Sequence, residues 1–328
     1  MGNLFLSILV YVVAAPVTLA LGLASKWYDR KVTAMVQWRK GPPWYQPVAD
    51  LLKLFYKETL MPSTARGTGF LIAPAVALGA AALAAAVLWA GLFAPGVSFL
   101  GDLIVVVYLL VIPSLATIVG ASASGSPHAA VGASREMKLI LAYELPLLLA
   151  LLVGVIHAAP AGEPWSLRLG SIASAQHAGG TTLYSLSGLL AMIVAVLAVQ
   201  AKLGQVPFDQ AEAECEIMTG VFVEYSGPAL ALIHMTRAMM LATMPLLLIA
   251  VLWGGGVFWT GFGASILQVV VFLIKYVVLV TLVTLIRNTN PRLRIDQAVK
   301  FFWAGLTPLA VLALVLALVG RYKAISWL

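Results

Sequence analysis

The sequence has almost none of the residues that hold redox centres. Its single cysteine, Cys215, excludes a disulfide within the chain. One thiolate also falls short of the four that an iron–sulfur cluster usually takes. No C-x-x-C, H-E-x-x-H, Walker A or G-x-G-x-x-G pattern occurs, so any redox or nucleotide chemistry belongs to another polypeptide. His128, His157 and His177 lie in or near loops without a partner at ligand spacing, which argues against a metal site. Charge is scarce as well: 10% of the 328 residues are charged and 62% are hydrophobic. That balance excludes a soluble globule. The apolar runs are continuous, which excludes the alternating pattern of a β-barrel.

What is present is a series of runs near the ~20 apolar residues that a helix needs to cross hydrocarbon. Eight qualify: 4–25, 69–94, 99–121, 138–158, 184–203, 228–252, 264–286 and 299–319. The first lacks a basic leading region and a small-residue cleavage site before Lys26, so it reads as a retained helix. The expectation is an all-α polytopic membrane protein, a single membrane domain over 1–328. It has eight transmembrane helices and one interfacial amphipathic helix.

The net charge of +7 is unevenly spread. Lys26, Arg30, Lys31, Arg39, Lys40, Lys53, Lys57 and Arg66 follow the first run. Arg135 and Lys138, then Lys202, then Arg287, Arg292, Arg294 and Lys300 occupy alternate later connections. Fifteen of the 20 basic residues thus share one side, against Arg168, Arg321 and Lys323 on the other. The positive-inside rule puts the long loops in the cytoplasm and both termini outside. The turns at 95–98 and 254–263 are bare, and the 159–183 connection is longer but weakly charged.

Acid is concentrated in one of those loops. Residues 200–227 read QAKLGQVPFDQAEAECEIMTGVFVEYSG and hold five of the 13 acids: Asp209, Glu212, Glu214, Glu216 and Glu224. Such a loop, at 204–227, either binds something cationic or handles protons; a solvated acidic face is the plainer alternative. The interleaved Val206, Phe208, Ile217, Met218, Val221, Phe222 and Val223 weigh against that alternative. Pro207 to Glu212 reads as a helix start with Asp209 as N-cap. Glu212 and Glu216 then share a face, where like charges repel and shelter raises their pKa values. At 45–57, Val48, Leu51, Leu52 and Phe55 recur at helical spacing among Asp50, Lys53 and Lys57. This fits an amphipathic helix in the membrane interface, either as a generic anchor or as a docking element.

Within the spans lie Glu144, His234, Arg237 and Lys275, and ionisable groups in hydrocarbon face a partner or a watery path. Glu144 either pairs with Arg237 or is hydrated and relays protons. Tyr143 and Glu136 extend that relay, or Glu136 caps its helix or pairs with Lys138. Lys275 contacts an adjoining subunit or reaches a carboxylate in this chain. Asp102 reads as an interfacial end-residue.

Three segments carry a family resemblance. DRKVTAMVQWRKGPPWYQPVADLLKLFYKE resembles the first cytoplasmic loop of the membrane-anchor subunit of respiratory complex I. PFDQAEAECEIMTGVFVEYSG and GASREMKLILAYELP (132–146) match that family's other loop motifs. Only Pro43, Trp44 and Tyr45 separate the Gly-Pro and Gln-Pro elements. This short form is similar to the counterpart in group 4 energy-converting nickel–iron hydrogenases, including formate hydrogenlyase, and a related sulfane reductase is of the same kind.

The resemblance implies a non-redox membrane subunit of an ion-translocating oxidoreductase in a prokaryotic plasma membrane. Its partners would be hydrogenase-like large and small subunits, antiporter-like membrane subunits and the lipid bilayer, with no nucleic acid. No cofactor is expected on this chain; the partners would carry iron–sulfur clusters and a nickel–iron centre, and a bound quinone is left open. Arg39, Gly41, Pro42, Gln46 and Asp50 would form a docking collar for the peripheral arm. Asp209, Glu212, Glu214, Glu216, Glu224, Glu136 and Glu144 would form a proton relay. The first alternative is a quinone-site subunit of an NADH:quinone oxidoreductase. A stand-alone secondary transporter predicts internal repeats, and neither loop motif has a second copy.

Overall fold

In hydrocarbon a backbone N–H has no water to bond, so each apolar run must satisfy its own backbone as a helix. The computed structural model describes residues 2–65, 67–93, 101–159, 165–254, 262–323 and 327; side chains are further left out at 2–11, 177–179, 214, 215 and 262–265. Among the described residues the regular structure is helical throughout. The turns expected at 95–98 and 254–263 lie largely outside them.

The elements in order are α1 (Gly2–Val36), α2 (Gln46–Phe55), α3 (Gly67–Phe93), α4 (Asp102–Ala123), α5 (Pro127–Ala158) and α6 (Leu169–Gly179). Then come α7 (Leu186–Lys202), the short α8 (Glu214–Ile217), α9 (Gly227–Val251), α10 (Phe262–Thr289), α11 (Ile295–Lys300) and α12 (Thr307–Tyr322). A π-helical segment, Phe301–Leu306, joins the last two into one rod. Among the described residues six helices, α3, α4, α5, α9, α10 and the α11–α12 rod, are long and apolar enough to cross a membrane, and α7 is a shorter apolar helix. The chain is a multi-span helical membrane protein.

Lipid is as apolar as leucine, so helices associate here by close packing rather than by escape from water. Small residues supply it. Helix α3 turns Ala80, Ala81, Ala84, Ala85 and Ala86 inward, packing on α4, α9 and α1. A Cβ on Gly22 of α1 would lie 2.1 Å from the Ala238 carbonyl oxygen of α9, so the two backbones touch there. Prolines inside α1, α3, α4, α5 and α9 (Pro16, Pro74, Pro113, Pro146, Pro245) are tolerated, since neighbouring helices shield the broken ladders. Helix α10 leaves Ile266, Leu267, Leu273 and Ile274 exposed, an apolar face suited to lipid.

Polar bonds gather at the two ends of the bundle. At the loop end, Leu60 donates to Ser226 (3.0 Å), Thr64 to the Ser124 carbonyl (3.3 Å), and Arg287 pairs with Asp29 (2.5 Å). At the opposite end, α6 occupies part of the connection that carries no strong pattern in sequence. There Gln176 accepts from the Gly254 amide (2.6 Å) and donates to the Val251 carbonyl and to Thr182 (3.0 Å). Asp102 is the first residue of α4, an end-residue of its span, and its side chain is buried within the protein.

The α1–α9 contact yields a contrast. Gly22→Val must push two packed backbones apart and should cost about 1–3 kcal/mol. Gly79→Ala meets nothing within 4 Å and should gain about 0.5–1 kcal/mol of helix stability. Heat-unfolding midpoints of the purified protein should move in opposite directions for the two variants.

Candidate functional site: a clasped acidic loop over a polar cavity

The loop between α7 and α9 is held first by aromatic anchors. Phe208 is buried against Phe302 and Phe301 of the π-helical segment, at centroid distances of 4.8 and 5.8 Å. Tyr225 stacks on Phe70 of α3 at 4.2 Å and donates to the Phe70 carbonyl (3.1 Å). Burial pushes the Tyr225 phenol up to about 12, so it stays a neutral donor. A side chain on Gly120 of α4 would strike its hydroxyl at 2.1 Å. Gln200, buried at the end of α7, donates to the Val206 carbonyl (2.7 Å), and the Leu293 amide donates to the Pro207 carbonyl (3.1 Å).

Three of the loop carboxylates are each paired with an arginine. Asp209 pairs with Arg292 ahead of α11 (2.7 Å), Glu212 with Arg237 of α9, and Glu216 with Arg135 of α5 (2.5 Å). The expected N-cap is corrected: the turn after Asp209 is one 3₁₀ turn, Gln210–Glu212, without a side-chain cap, because the Asp209 carboxylate faces Arg292. Ala213, at φ −48 and ψ 94, then breaks the helix, so Glu212 and Glu216 do not share a face. Burial pushes the Asp209 carboxyl above its ordinary value, although the Arg292 and Arg287 charges pull against it. Among the described residues Glu224 has no ion pair, and the Glu214 side chain lies outside them.

Beneath the loop is a cavity of about 80 Å³, walled by α3, α4, α5, α7 and α9. That volume has room for roughly five water molecules. Glu136, Asp209, Glu212, Lys202 and Arg237 line it, with Ser114 among the neutral groups. Glu136 therefore neither caps α5 nor pairs with Lys138: it lies well inside the helix and faces the cavity. The Arg237 guanidinium also rests 4.3 Å over the Phe222 ring.

The expected Glu144–Arg237 pair is replaced by another. Lys202 reaches Glu144 with both oxygens in range, at 2.9 and 3.2 Å, and sits 5.6 Å from the Tyr143 ring. Its side chain is 1% exposed. Lys202 thus touches the cavity on one side and Glu144 on the other. Sequence reasoning counted it only as a loop charge; the overlooked signal was its place within α7 itself, as the last helical residue. Tyr143 is fully buried and its hydroxyl has no hydrogen bond among the described residues.

The remaining predicted residues lie elsewhere. His234, three residues before Arg237, opens into a second cavity beside α1 and α2 and does not join the Arg237 layer. Lys275 meets no carboxylate among the described residues: it donates to the Trp253 and Gly254 carbonyls (2.7 and 3.1 Å) just past the end of α9, where a cation suits the helix dipole. In the proposed collar, Arg39 is exposed, the Pro42 carbonyl accepts from Trp27 (3.1 Å), and Asp50 is bonded by Gln46 (2.9 Å) and Arg30 (2.8 Å). A Cβ on Gly41 would lie 2.6 Å from Cδ of Lys31 and 3.1 Å from its Cα, so the lysine side chain would have to move aside. Burial pushes the Asp50 carboxyl up, but the Arg30 and Gln46 bonds outweigh it and hold it below the ordinary range.

A multi-span helical subunit with a clasped acidic loop over a polar cavity is the class defined by this geometry. A family model described as NADH dehydrogenase matches residues 8–318, and the chain belongs to that family. The H subunit of the NADH-quinone oxidoreductase of Thermomicrobium roseum is 35% identical over 334 residues, covering 94% of each chain. Its counterpart in Geobacillus sp. is 33% identical over 294 residues, covering 87% of this chain and 84% of the relative. Among solved structures, a chain of the membrane-bound sulfane sulfur reductase, an archaeal respiratory membrane complex, aligns with a TM-score of 0.80 at 30% identity. That alignment covers 95% of this chain and 99% of the other. The protein is a membrane subunit of the respiratory-complex kind.

Removing one partner of a buried ion pair strands the other charge, at about 3–5 kcal/mol. Lys202→Met should cost about that much, and adding Glu144→Gln should recover most of it, because no buried charge is then left over. Arg135→Gln breaks an exposed pair and should cost about 0–1 kcal/mol. Thermal unfolding of the three variants, read as a double-mutant comparison, checks the ranking.

Proposed function

We propose that this subunit docks a peripheral redox arm, of the group 4 hydrogenase type, and couples its electron transfer to proton or sodium-ion movement. The observation that carries the reading is the buried Lys202–Glu144 pair, set against a cavity that also holds Glu136, Asp209 and the Glu212–Arg237 pair. In this reading the loop end faces the cytoplasm of a prokaryotic plasma membrane, with both termini outside, as the basic residues of that end favour. Arg39, Gly41, Pro42 and Gln46 present the arm with a stiff, basic collar. Iron–sulfur clusters and a nickel–iron centre reside on the hydrogenase-like partners, and antiporter-like neighbours receive the displaced charge.

The chemistry of the pair suits such a role. A proton arriving on Glu144 neutralises the carboxylate and strands the Lys202 ammonium, which then favours the Glu136 and Asp209 side of the cavity. Stranding a buried charge costs about 3–5 kcal/mol, and moving one charge through 100 mV is worth about 2.3 kcal/mol. The two are of one order, so a single charge change in the arm and a membrane potential can together throw the pair between positions.

A second reading is supported by the names of the relatives, which are subunits of NADH-quinone oxidoreductases: a subunit that contributes to a quinone site. The purified intact complex separates the two. Nickel without quinone supports the hydrogenase-type reading, and quinone without nickel supports the other. For coupling itself, Glu136→Gln and the pair Lys202→Met/Glu144→Gln, which leaves no buried charge over, should each leave the complex assembled and the arm's redox activity in soluble assays near wild type. Ion pumping into vesicles should fall about tenfold or more, as for a lost proton-transfer group. Unchanged pumping in both variants would defeat the coupling proposal.

A further inference from the structure

One hydroxyl on the wall of the cavity beneath the acidic loop is left uncommitted. Hydroxyls on helices commonly bond back to a carbonyl about one turn earlier, and the others lining this cavity are bound to backbone. Thr236 of α9 donates to the Leu232 carbonyl (2.9 Å), Thr117 of α4 to the Ser114 carbonyl (2.7 Å), and Tyr225 to the Phe70 carbonyl (3.1 Å). Among the described residues the Ser114 hydroxyl is given to no backbone carbonyl. It is buried, directly after Pro113, which has no N–H and interrupts the α4 ladder.

What Ser114 faces instead are two groups of α5, the Glu136 carboxyl and the Tyr143 hydroxyl. Glu136 and Tyr143 are seven residues apart, close to two full turns, so they share a face of α5 about 10 Å apart along its axis. A carboxyl and a phenol at that separation are served by a group on a facing helix, and α4 packs against α5. The Tyr143 hydroxyl is fully buried without a hydrogen bond among the described residues, so the link on its side stands open. Its ring lies 5.6 Å from the Lys202 ammonium, which holds Glu144. Ser114 thus stands between the cavity acid and the aromatic wall of the buried ion pair.

We propose that Ser114 is a proton-carrying residue that connects Glu136 to Tyr143, and through it to Glu144. The proposal rests on the coupling reading above and names the step that crosses from the cavity to the buried pair. A protonated Glu136 gives its proton to the Ser114 oxygen. As that bond forms, the hydrogen Ser114 already held passes to the Tyr143 oxygen. The Tyr143 hydrogen leaves through a bridging water to the Glu144 carboxylate. Serine, tyrosine and water each end with the hydrogens they started with, while Glu136 becomes a carboxylate and Glu144 a neutral acid. Lys202, released by Glu144, also lines the cavity and meets the newly ionised Glu136 there. Charge is then balanced at both ends of the transfer.

The test holds shape constant. Ser114→Thr and Ser114→Val differ by the hydroxyl, and Ser114→Ala removes the hydroxyl without adding bulk. Each is introduced into the intact complex in vesicles, beside Tyr143→Phe and Glu136→Gln, and ions moved per electron transferred are measured. The alanine, valine and phenylalanine variants should move roughly tenfold fewer ions per electron, as for a lost proton-transfer group. Threonine should restore most of the yield, whereas a packing role would group threonine with valine. A wild-type yield in Ser114→Ala, or a threonine variant no better than valine, would overturn Ser114 as the carrier. If Glu136→Gln fails while Ser114→Ala pumps normally, only this step is overturned and the coupling reading stands. Wild-type yields in Glu136→Gln as well would overturn both.

Discussion

A carboxylate removed from water must find a cation, and in this chain the cations of the acidic loop are fixed to helices or beside them. Asp209, Glu212 and Glu216 reach Arg292, Arg237 and Arg135, which belong to the segment before α11, to α9 and to α5. The path of the loop follows from where those arginines stand. It breaks at Ala213 and turns through the left-handed conformations of Met218 and Thr219 because a continuous helix could not serve three separate arginines. Such conformations are uncommon outside glycine, so the ion pairs and the Phe208 and Tyr225 anchors hold the backbone where its local preference does not.

The same constraint makes the loop a junction. Each ion pair joins it to a different part of the bundle, so a change of charge above it is felt on several helices at once. The cavity underneath keeps Glu136, Lys202 and Arg237 within one small polar volume while apolar helices surround it. In so low a dielectric, a group that loses its partner is strongly disfavoured. In the proposed scheme the observed arrangement, Lys202 on Glu144, and a second one toward the cavity acids would be discrete states and not a continuum. That is the element a coupling mechanism needs, a bistable part biased from both ends.

The membrane architecture was legible because hydrocarbon imposes one rule on every span, and a run of apolar residues records it directly. The loop motifs were legible because they are contiguous. Pairing was not. Which cation meets Glu144 depends on how α5 and α7 rotate against each other, and apolar spans with inward faces all around give no amphipathic stripe to reveal that rotation. By position the sequence offers Arg237 as the partner, and the packing puts Lys202 there instead. The N-cap reading of Asp209 failed for a related reason: a local motif competes with a distant guanidinium, and burial favours the charged partner. Gln176 was invisible because α6 is short and has no strong apolar periodicity.

Helix α9 separates the two cavities, and its spacing explains their division. His234 and Arg237 are three residues apart, close enough to be neighbours on the helix surface, yet they open to different voids. Its backbone is pressed against α1 at Ala238 and Gly22, one residue beyond Arg237, so the wall cannot slide without opening a tight contact. A signal between the cavities therefore has little room to travel as helix displacement. It can travel as field, because Lys26 and Arg30 on one side and Arg237 on the other are like charges across a single helix in a medium that screens poorly. The second cavity and the acidic clasp are in this sense two ends of one electrostatic arrangement, with α9 as the rigid spacer.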